Sequence, residues 1–480
     1  MRDLGTAMAG IVLINPPLSL EERYGKFARG GTQTPPIGLA QLAAVTRLRG
    51  HPTAILDCPA LGLDYDAAVR RVRELGFTWV GLTAVTPGID NAGRLARELK
   101  RSNETLSIIL GGPHLTAAPE ATMLAYPDFD LGVIGEGEET LAELLGALPE
   151  GAPLEEIRGI IYRAEGGGLR RTDRRPFIAN LDDLPLPAWD LLPPLSKFYE
   201  TPTFYLGRTP SSSLVTSRGC CGRCSFCDRS VFGNACRMHS AERVVEMMQH
   251  LHDRFGINDV IIHDDAFVLN RKRVERFCAL LLETGSGMNW GCNARVNMVD
   301  PDILRVMKAA GCRHIGYGIE SGSQRVLNVI RKGITLEQIT QAAVWTHGAG
   351  IRTRGFFMIG HPTETEESIR ATIDLAKSIP IDDFQITFFT PFPGSEIHEE
   401  IERYGSFDGQ WQRMNMWEPL FVPKDLTREQ LIYWQRRAFR EFYLRPRTIW
   451  HYARLMRNPH HAVKLLRGGI TLLEGLWSKN

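Results

Sequence analysis

The chain has 480 residues, 43% hydrophobic and 23% charged, a composition that excludes a disordered chain or a coiled coil. Lys plus Arg (56) nearly cancels Asp plus Glu (55), so no overall field favours nucleic acid as a partner. The length predicts several domains. No apolar run is long enough to span a membrane, and no signal-peptide cleavage site follows the first residues, so we expect a cytoplasmic protein.

Residues 1–150 alternate short apolar runs with amphipathic segments, for example GIVLINPP followed by GLAQLAAVTRLRG. Fully apolar strands joined by helices are typical of a parallel sheet covered on both faces. Five such strands predict an α/β domain of the flavodoxin-like or Rossmann-like, doubly wound type.

Ligands of doubly wound sheets bind at the carboxyl ends of the strands. Two predicted strand ends carry Gly111-Gly112-Pro113-His114 and Gly135-Glu136-Gly137-Glu138, in which glycines let a ligand approach the backbone. We expect Gly111, Gly112, His114, Gly135, Glu136 and Gly137 to contribute to a cofactor site. For His114, a hydrogen bond to a neighbouring loop is a more ordinary role than metal ligation.

The pattern changes over 151–205, where a hairpin-like segment precedes the proline-rich LDDLPLPAWDLLPPL, and we interpret this region as a surface linker. Strand and helix signals resume over 206–424 in six units, which predicts a partial (β/α)6 TIM-like barrel with its site at the strand ends. Residues 425–480 have a helical pattern rich in arginine and aromatic side chains.

Four of the nine cysteines fall between Cys220 and Cys227, on a loop after a predicted strand. Such crowding indicates a metal site in a cytosolic chain. Three thiolates at Cys220, Cys224 and Cys227 can hold one face of a four-iron cluster and leave one iron open for a ligand. A zinc site, the alternative, needs a fourth ligand at suitable spacing. Cys221 with Cys224 and Cys227 is a second, tighter possible set.

The spacing Cys220-x3-Cys224-x2-Cys227, with Phe226 before the last cysteine, resembles the signature of the radical S-adenosylmethionine superfamily. In that family the open iron chelates the amino and carboxylate groups of S-adenosylmethionine. One electron then cleaves the cofactor to methionine and a 5′-deoxyadenosyl radical. Only Cys220 gives the family spacing, so the resemblance favours it over Cys221.

The resemblance extends along the following predicted strands and implies further cofactor contacts. It places Asp264, Asp265, Arg295, Glu320 and Ser321 at strand ends, with Glu320 and Ser321 in the segment GIESGS. Glu320 could accept hydrogen bonds from the ribose hydroxyls or the ammonium of the cofactor, and Asp264 or Asp265 could meet the ammonium. A helix cap or a strand-end salt bridge is the ordinary alternative for the two aspartates.

A doubly wound domain directly before such a barrel resembles the subfamily with a cobalamin-binding domain, over roughly residues 10–400. The resemblance implies bound cobalamin beside the 4Fe-4S cluster and S-adenosylmethionine. No Asp-x-His-x-x-Gly motif occurs, so the usual lower axial histidine is missing, as is common in this subfamily.

The subfamily implies methylation of an unactivated carbon of a natural-product, lipid or tetrapyrrole substrate. Oxidative cyclisation or rearrangement of a tetrapyrrole or polyisoprenoid, as in the anaerobic Mg-protoporphyrin monomethyl ester cyclase, is the alternative. A tRNA methylthiotransferase needs three N-terminal cysteines, and only Cys58 precedes residue 200. A non-enzymatic iron–sulfur or cobalamin sensor is the alternative of another class. The sequence identifies no catalytic residue beyond the cofactor ligands.

The expected partners are a small-molecule or lipid-like substrate and an external electron donor such as flavodoxin or ferredoxin, without nucleic acid. The basic, aromatic C-terminal region could also contact an anionic membrane peripherally. A solvated basic face on helices packed against the barrel is the simpler interpretation of that region.

Overall fold

The computed structural model describes residues 10–147, 149, 151–164, 166–200, 205, 207, 210–456 and 459–477. The chain folds into two compact units. The first comprises Met1–Ser19, Pro35–Phe198 and Asp228–Ala235, and the second comprises Leu20–Thr34, Tyr199–Cys227 and Cys236–Asn480.

The first unit is built on one seven-stranded sheet with the order β2-β1-β3-β4-β5-β6-β7. Its strands are β1 (Ile11–Asn15), β2 (Thr53–Asp57), β3 (Trp79–Thr83), β4 (Ser107–Gly111), β5 (Leu131–Val133), β6 (Ile160–Arg163) and β7 (Leu169–Arg171). The first five strands are parallel. Their order reverses beside β1, which is the arrangement of a flavodoxin-like, doubly wound sheet.

Helices cover this sheet, and the apolar strands are buried between them. The helices are Ile37–Leu48, Cys58–Leu61, Tyr65–Leu75, Ile89–Ser102, Pro113–Ala117, Pro119–Ala125, Glu138–Ala147 and Leu195–Phe198. Ile11, Val12 and Ile14 are 0% exposed, as expected for a strand buried on both faces. The predicted fold class is confirmed for this unit.

The structure differs from the predicted linker over 151–205. The hairpin β6–β7 continues the sheet, because β6 pairs antiparallel with β5 through Leu131 and Tyr162. Ile160 and Ile161 are fully buried in the unit. The turn residues of the hairpin are visible in the sequence. Its pairing with β5 is not, because a local pattern does not encode which distant strand a segment joins.

The second unit contains a six-stranded parallel sheet with the order β15-β14-β13-β12-β11-β8. The strands of this unit are β8 (Ser211–Leu214), β9 (Ser217–Arg218), β10 (Arg237–Met238), β11 (Asp259–Ile262), β12 (Asn289–Ala294), β13 (Cys312–Glu320), β14 (Arg352–Ile359), β15 (Asp383–Phe388), β16 (Gly405–Phe407) and β17 (Phe421–Pro423). Each strand of the large sheet pairs with its neighbour in the chain, which is the sequential order of a partial TIM-like barrel, as predicted.

Helices follow the strands of the barrel, and side-chain caps start most of them. The helices of this unit are Leu20–Tyr24, Ala241–Phe255, Arg271–Glu283, Pro301–Ala309, Gln324–Val329, Leu336–Gly348, Glu366–Ser378, Arg428–Tyr443, Pro446–Leu455 and Pro459–Trp477. Thr335, Thr365 and Thr427 each form a capping box with the residue three positions later. Such caps satisfy backbone N–H groups that a helix start leaves without partners.

The helix Arg428–Tyr443 belongs to the core of the second unit. Trp434, Phe439 and Phe442 are at most 6% exposed, and the Phe442 ring stacks on Phe384 of β15 at a centroid distance of 4.8 Å. Glu441 pairs with cations of two helices, at 2.7 Å from Lys377 and 2.6 Å from Arg437. Residues 428–443 therefore form a helix packed against the barrel. This is the simpler of the two interpretations of the basic, aromatic C-terminal region. In the described part of the chain, no helix is long and apolar enough to cross a membrane.

We predict that Phe442→Ala lowers the free energy of unfolding by about 3–5 kcal/mol, because it removes a buried aromatic ring and leaves a cavity. Tyr433→Ala, on the same helix with 48% of the residue exposed, is the matched control and should change it by about 0.5 kcal/mol or less. Urea denaturation followed by tryptophan fluorescence measures both. Equal effects of the two substitutions would show that this helix does not contribute to the core.

Candidate functional site

The cysteine loop leaves the barrel at the end of β8 and is held at its root by a buried carboxylate. Asp264, 1% exposed, accepts hydrogen bonds from the backbone N–H of Thr216 at 2.5 Å, from the Thr216 hydroxyl at 2.6 Å and from the Ser217 N–H at 3.1 Å. Arg273 donates from Nη2 to Thr216 Oγ1 at 2.6 Å and to the Thr216 carbonyl at 3.1 Å. These bonds fix the chain just before the first cysteine.

Burial raises the pKa of Asp264, although hydrogen bonds from Thr216 and the charge of Arg273 oppose the shift. Three of its hydrogen bonds serve the loop, so the geometry gives Asp264 a positioning role. Its predicted contact with the cofactor ammonium stays a prediction. The neighbouring Asp265 is exposed at its surface. Partial desolvation of its carboxyl group, together with the charge of Asp264, raises its pKa.

Two thiols of the cysteine loop lie beside Gly222, and a third thiol is hydrogen-bonded to one of them. A Cβ atom placed on this glycine would lie 3.3 Å from Cys220 Sγ and 3.9 Å from Cys224 Sγ. A hydrogen bond between Cys227 and Cys224 lowers the pKa of Cys224 to about 6 and raises that of Cys227. Burial raises the pKa of Cys220. Cys221 and Cys227 are exposed, whereas Cys224 is buried and Cys220 is half-buried.

The far side of the loop is tied to other parts of the second unit. Ser225 donates its N–H to the carbonyl of Ile330 at 3.1 Å, and its own carbonyl accepts from the N–H of Ile397 at 3.0 Å. The Phe226 ring packs edge-on against Phe389, with centroids 6.5 Å apart. Both ends of the cysteine loop are thereby held in the fold.

Two cations lie beside the thiols. Arg295, at the end of β12, places Nη1 3.7 Å from Cys224 Sγ and donates from Nη2 to the carbonyl of Lys332. The Lys332 ammonium lies 5.8 Å from the centre of the Phe226 ring, and its charge contributes to the lowered pKa of Cys224. These two cations therefore favour the thiolate form of Cys224, which is the form that binds metal.

Glu320 and Lys332 form a buried ion pair. Lys332 Nζ lies 2.6 Å from Glu320 Oε1, and the side chains are 8% and 9% exposed. Glu320 has a φ of 69° and sits at a register shift in the pairing of β13 with β14. A Cβ on Gly318 would lie 2.7 Å from the Glu320 carboxylate and 2.8 Å from the Lys332 ammonium, so a side chain at this position would displace the ion pair. Lys332 cannot be recognised as a site residue from the sequence, because only the register shift in β13 brings Glu320 next to it.

Ser321 and Gly322 join the end of β13 to the helix Glu366–Ser378. The Ser321 hydroxyl lies 3.2 Å from Thr372 Oγ1, which also accepts the Gly322 N–H at 2.9 Å. A Cβ on Gly322 would lie 2.6 Å from Thr372 Cα, so only glycine fits. The Ser321 hydroxyl is thus used within the protein, and its predicted contact with a cofactor stays a prediction.

In the first unit, glycines leave space at the carboxyl ends of the strands. A Cβ on Gly111 or Gly135 would meet no atom within 4 Å, whereas one on Gly112, whose φ is +98°, would lie 2.7 Å from Thr83 Oγ1. His114 is 1% exposed, and its Nδ1 lies 3.2 Å from the Thr86 hydroxyl. Burial lowers the pKa of His114 to about 4, so the imidazole is neutral near pH 7.

Glu136 and Gly137 lie in the loop after β5. The Glu136 carboxylate accepts the Ile178 N–H at 2.8 Å and so ties this loop to the segment after the hairpin. A Cβ on Gly137 would lie 3.1 Å from Leu42. For both residues the visible role is packing within the unit, and a cofactor contact stays a prediction.

The residues present fit the groups that the sequence resemblance implies. An iron–sulfur cluster with an open iron needs three thiolates, and the loop offers Cys220 and Cys224 beside Gly222 and Cys227 hydrogen-bonded to Cys224. The two cations beside these thiols would offset the negative charge of such ligands. The Glu320–Lys332 pair offers one group of each sign to an amino acid. At the edge of the first sheet, Gly111 and Gly135 leave the strand ends uncrowded, so a ligand can approach the backbone there. The buried, neutral His114 bonded to Thr86 does not present an axial ligand there.

Comparison with known sequences agrees with this geometry. The sequence model described as the radical SAM superfamily matches residues 214–376, and the B12 binding domain matches residues 27–145. The chain is also 37% identical over 421 residues to the uncharacterized methyltransferase PH0819 of Pyrococcus horikoshii, covering 87% of this chain and 90% of that protein. The chain therefore belongs to the radical S-adenosylmethionine enzymes that carry a B12-binding domain.

Other relatives carry names of two reaction types. The chain is 28% identical over 424 residues to the anaerobic magnesium-protoporphyrin IX monomethyl ester cyclase of Rubrivivax gelatinosus, covering 85% of this chain and 74% of that protein. It is 27% identical over 424 residues to the cytidylyl-2-hydroxyethylphosphonate methyltransferase of Streptomyces wedmorensis, covering 78% and 79% of the two chains.

Two solved structures share the fold. The cobalamin-dependent S-adenosylmethionine radical enzyme OxsB matches with a TM-score of 0.72 at 19% identity, covering 95% of this chain and 72% of that chain. The radical S-adenosylmethionine methyltransferase TsrM from Kitasatospora setae matches with a TM-score of 0.69 at 19% identity, covering 91% and 89%.

We predict that Cys220→Ser, Cys224→Ser and Cys227→Ser each prevent assembly of the cluster, because each removes one of three thiolates. Cys221→Ser, one residue away, is the matched control and should keep about four irons per chain, the content of one cluster with an open site. Iron and sulfide analysis after anaerobic reconstitution measures this. Loss of iron in Cys221→Ser with retention in Cys220→Ser would transfer the ligand role to Cys221.

Proposed function

We propose that this chain is a cobalamin-dependent radical S-adenosylmethionine methyltransferase acting on an unactivated carbon of a small molecule. Cys220, Cys224 and Cys227 would hold a 4Fe-4S cluster that, when bound, supplies an electron for reductive cleavage of S-adenosylmethionine. The observation that carries this proposal is the convergence of two of these thiols at Gly222, with the third hydrogen-bonded to Cys224.

The relatives support methyl transfer as the reaction type. PH0819 and the Streptomyces protein are both named methyltransferases. The solved structure of OxsB holds aqua-cobalamin and S-adenosylmethionine, and that of TsrM holds cobalamin and a [4Fe-4S] cluster. We infer that the substrate of this chain is a small molecule.

Glu320 and Lys332 would bind the amino-acid end of S-adenosylmethionine. This end carries an ammonium and a carboxylate, and the buried pair presents one complementary charge to each. The two side chains lie 2.6 Å apart, so their opposite charges stabilise each other before the cofactor binds. Without such a partner, a buried charge would carry a large desolvation penalty. Arg295 beside Cys224 would offset the negative charge of the thiolates.

For cobalamin, we infer that the carboxyl-terminal edge of the first sheet is the binding region. Gly111 and Gly135 leave the strand ends open, and Gly112 allows β4 to turn sharply into the next helix. His114 would support this edge through Thr86 without ligating the cobalt.

Oxidative cyclisation is the second candidate reaction. The Rubrivivax cyclase aligns over 85% of this chain, and the same cofactor cleavage can begin either reaction. The proposal also includes an external one-electron donor, such as flavodoxin or ferredoxin.

We expect Lys332→Met and Glu320→Gln each to weaken S-adenosylmethionine binding about tenfold or more, because a hydrogen bond to a charged group contributes about 1.5–3 kcal/mol. Lys332→Arg keeps the positive charge and should retain part of the affinity, and Lys308→Met is a control on the outer helix Pro301–Ala309. Calorimetry on the reconstituted protein gives the affinity, and iron analysis verifies that the cluster is intact. Wild-type affinity in Lys332→Met with a full cluster would remove Lys332 from the site.

The two reactions leave different products. Donation of a methyl group converts S-adenosylmethionine to S-adenosylhomocysteine, whereas reductive cleavage yields 5′-deoxyadenosine and methionine. We expect the protein reconstituted with cluster and hydroxocobalamin, and supplied anaerobically with a reductant, to form both sets of products. Cys220→Ser should form no 5′-deoxyadenosine. Mass spectrometry of the mixture measures this, and 5′-deoxyadenosine without any S-adenosylhomocysteine would favour the cyclase reaction.

A further inference from the structure

The last two helices of the second unit expose a concentration of large apolar side chains. Leu444, Ile449, Trp450, Met456, Val463, Leu466 and Ile470 are each between 41% and 65% exposed. Scattered single apolar residues are normal on a protein surface, whereas such a density of them along consecutive helices is typical of an interaction site. We call residues 444–456 and 459–470 the C-terminal helix pair.

In the helix Pro446–Leu455, the outer face carries Arg447, Trp450 and Arg454, which are spaced three and four residues apart and are all exposed. The Arg454 guanidinium lies 5.2 Å from the centre of the Trp450 ring. The inner face is anchored, because the Tyr452 hydroxyl donates to Asp383 Oδ1 at 3.1 Å and Thr448 is buried. This anchoring holds tryptophan and two cations toward solvent.

In the helix Pro459–Trp477, Val463, Leu466 and Ile470 share one face with Arg467, at the spacing of successive helical turns. These three apolar residues are 65%, 58% and 48% exposed. An adjoining face of this helix packs against Gly30 through Thr471, which is 5% exposed. The outward face is therefore apolar, although polar residues would suit a face that meets only water.

The net positive charge of the C-terminal helix pair indicates that its partner is anionic. No Asp or Glu occurs from residue 442 to residue 473, a segment that contains Arg445, Arg447, Arg454, Arg457, Lys464 and Arg467. Of these, Arg467 shares its charge with Glu200 at 3.4 Å, and Arg445 donates to backbone carbonyls. Arg447 and Arg454 on the outer face are the cations best placed to meet an anionic surface. Tryptophan beside arginine suits the boundary between lipid headgroups and acyl chains.

We propose that the C-terminal helix pair docks on the surface of a bilayer that contains anionic lipids. The apolar side chains would enter the boundary of the acyl chains, and Arg447 and Arg454 would pair with anionic headgroups. Bound in this way, the enzyme would meet lipid-like substrates where they reside. That last step rests on the proposed function, whereas the docking itself does not.

The test uses full-length protein and extruded vesicles of phosphatidylcholine, with or without phosphatidylglycerol. Co-sedimentation should show binding to the anionic vesicles that weakens as salt is raised, because salt screens exposed charges. The double substitution Arg447→Gln/Arg454→Gln should reduce the partition coefficient about 25-fold, at about fivefold per cation. The double substitution Leu466→Ser/Ile470→Ser should reduce it to a similar or greater extent.

Matched controls change the same residue types elsewhere on the second unit. Arg305→Gln/Arg403→Gln removes two exposed arginines, and Leu282→Ser/Val344→Ser removes two exposed apolar side chains. Both controls should bind within twofold of the wild type. Equal decreases of the partition coefficient in the test and control pairs would overturn the proposal. So would a wild-type protein that does not bind anionic vesicles at 0.1 M salt. So would a dimer in analytical ultracentrifugation that Leu466→Ser/Ile470→Ser dissociates, because the face would then belong to a second copy.

Discussion

The position of the cysteine loop depends on one buried carboxylate. Asp264, at the end of β11, holds Thr216 and Ser217 through three hydrogen bonds, and Arg273 closes the network from the next helix. An ionised carboxylate in an apolar core is unfavourable unless hydrogen bonds and an opposite charge compensate it. For Asp264, the hydrogen bonds from Thr216 and Ser217 and the positive charge of Arg273 provide this compensation. The carboxylate therefore fixes the turn that leads into the cysteine loop. A loop that moved freely would lose the mutual placement of its thiols.

A second constraint is the balance of charge around the thiols. Arg295 touches Cys224, and Lys332 sits between Glu320 and the loop. Cations favour the thiolates that bind iron, and the carboxylate of Glu320 keeps Lys332 from remaining an unpaired buried charge. The register shift in β13 places Glu320 in this position, with a backbone conformation that non-glycine residues seldom adopt. Such local irregularity is typical of functional sites, where the surrounding fold supports a conformation that is unfavourable in isolation.

Much of this architecture could be predicted from the sequence, because the signals were local. The apolar strands of both sheets and the spacing of the cysteines lie within short windows. Long-range features escaped prediction. The pairing of β6 with β5 turned a supposed linker into part of the first sheet, and Lys332 reaches Glu320 only through a bulge. The basic, aromatic character of the C-terminal region did not separate the buried Phe442 from the exposed Trp450, because both lie in similar sequence surroundings and only the packing distinguishes them.

We infer that the three thiols hold a cluster with an iron open to S-adenosylmethionine. Electron paramagnetic resonance of the anaerobically reconstituted, reduced protein tests this inference. We expect a signal of a reduced four-iron cluster whose g values shift when S-adenosylmethionine is added, because the cofactor would become a ligand of the open iron. A cluster signal that is identical with and without S-adenosylmethionine, or protein that takes up zinc and no iron, would rule out such a site.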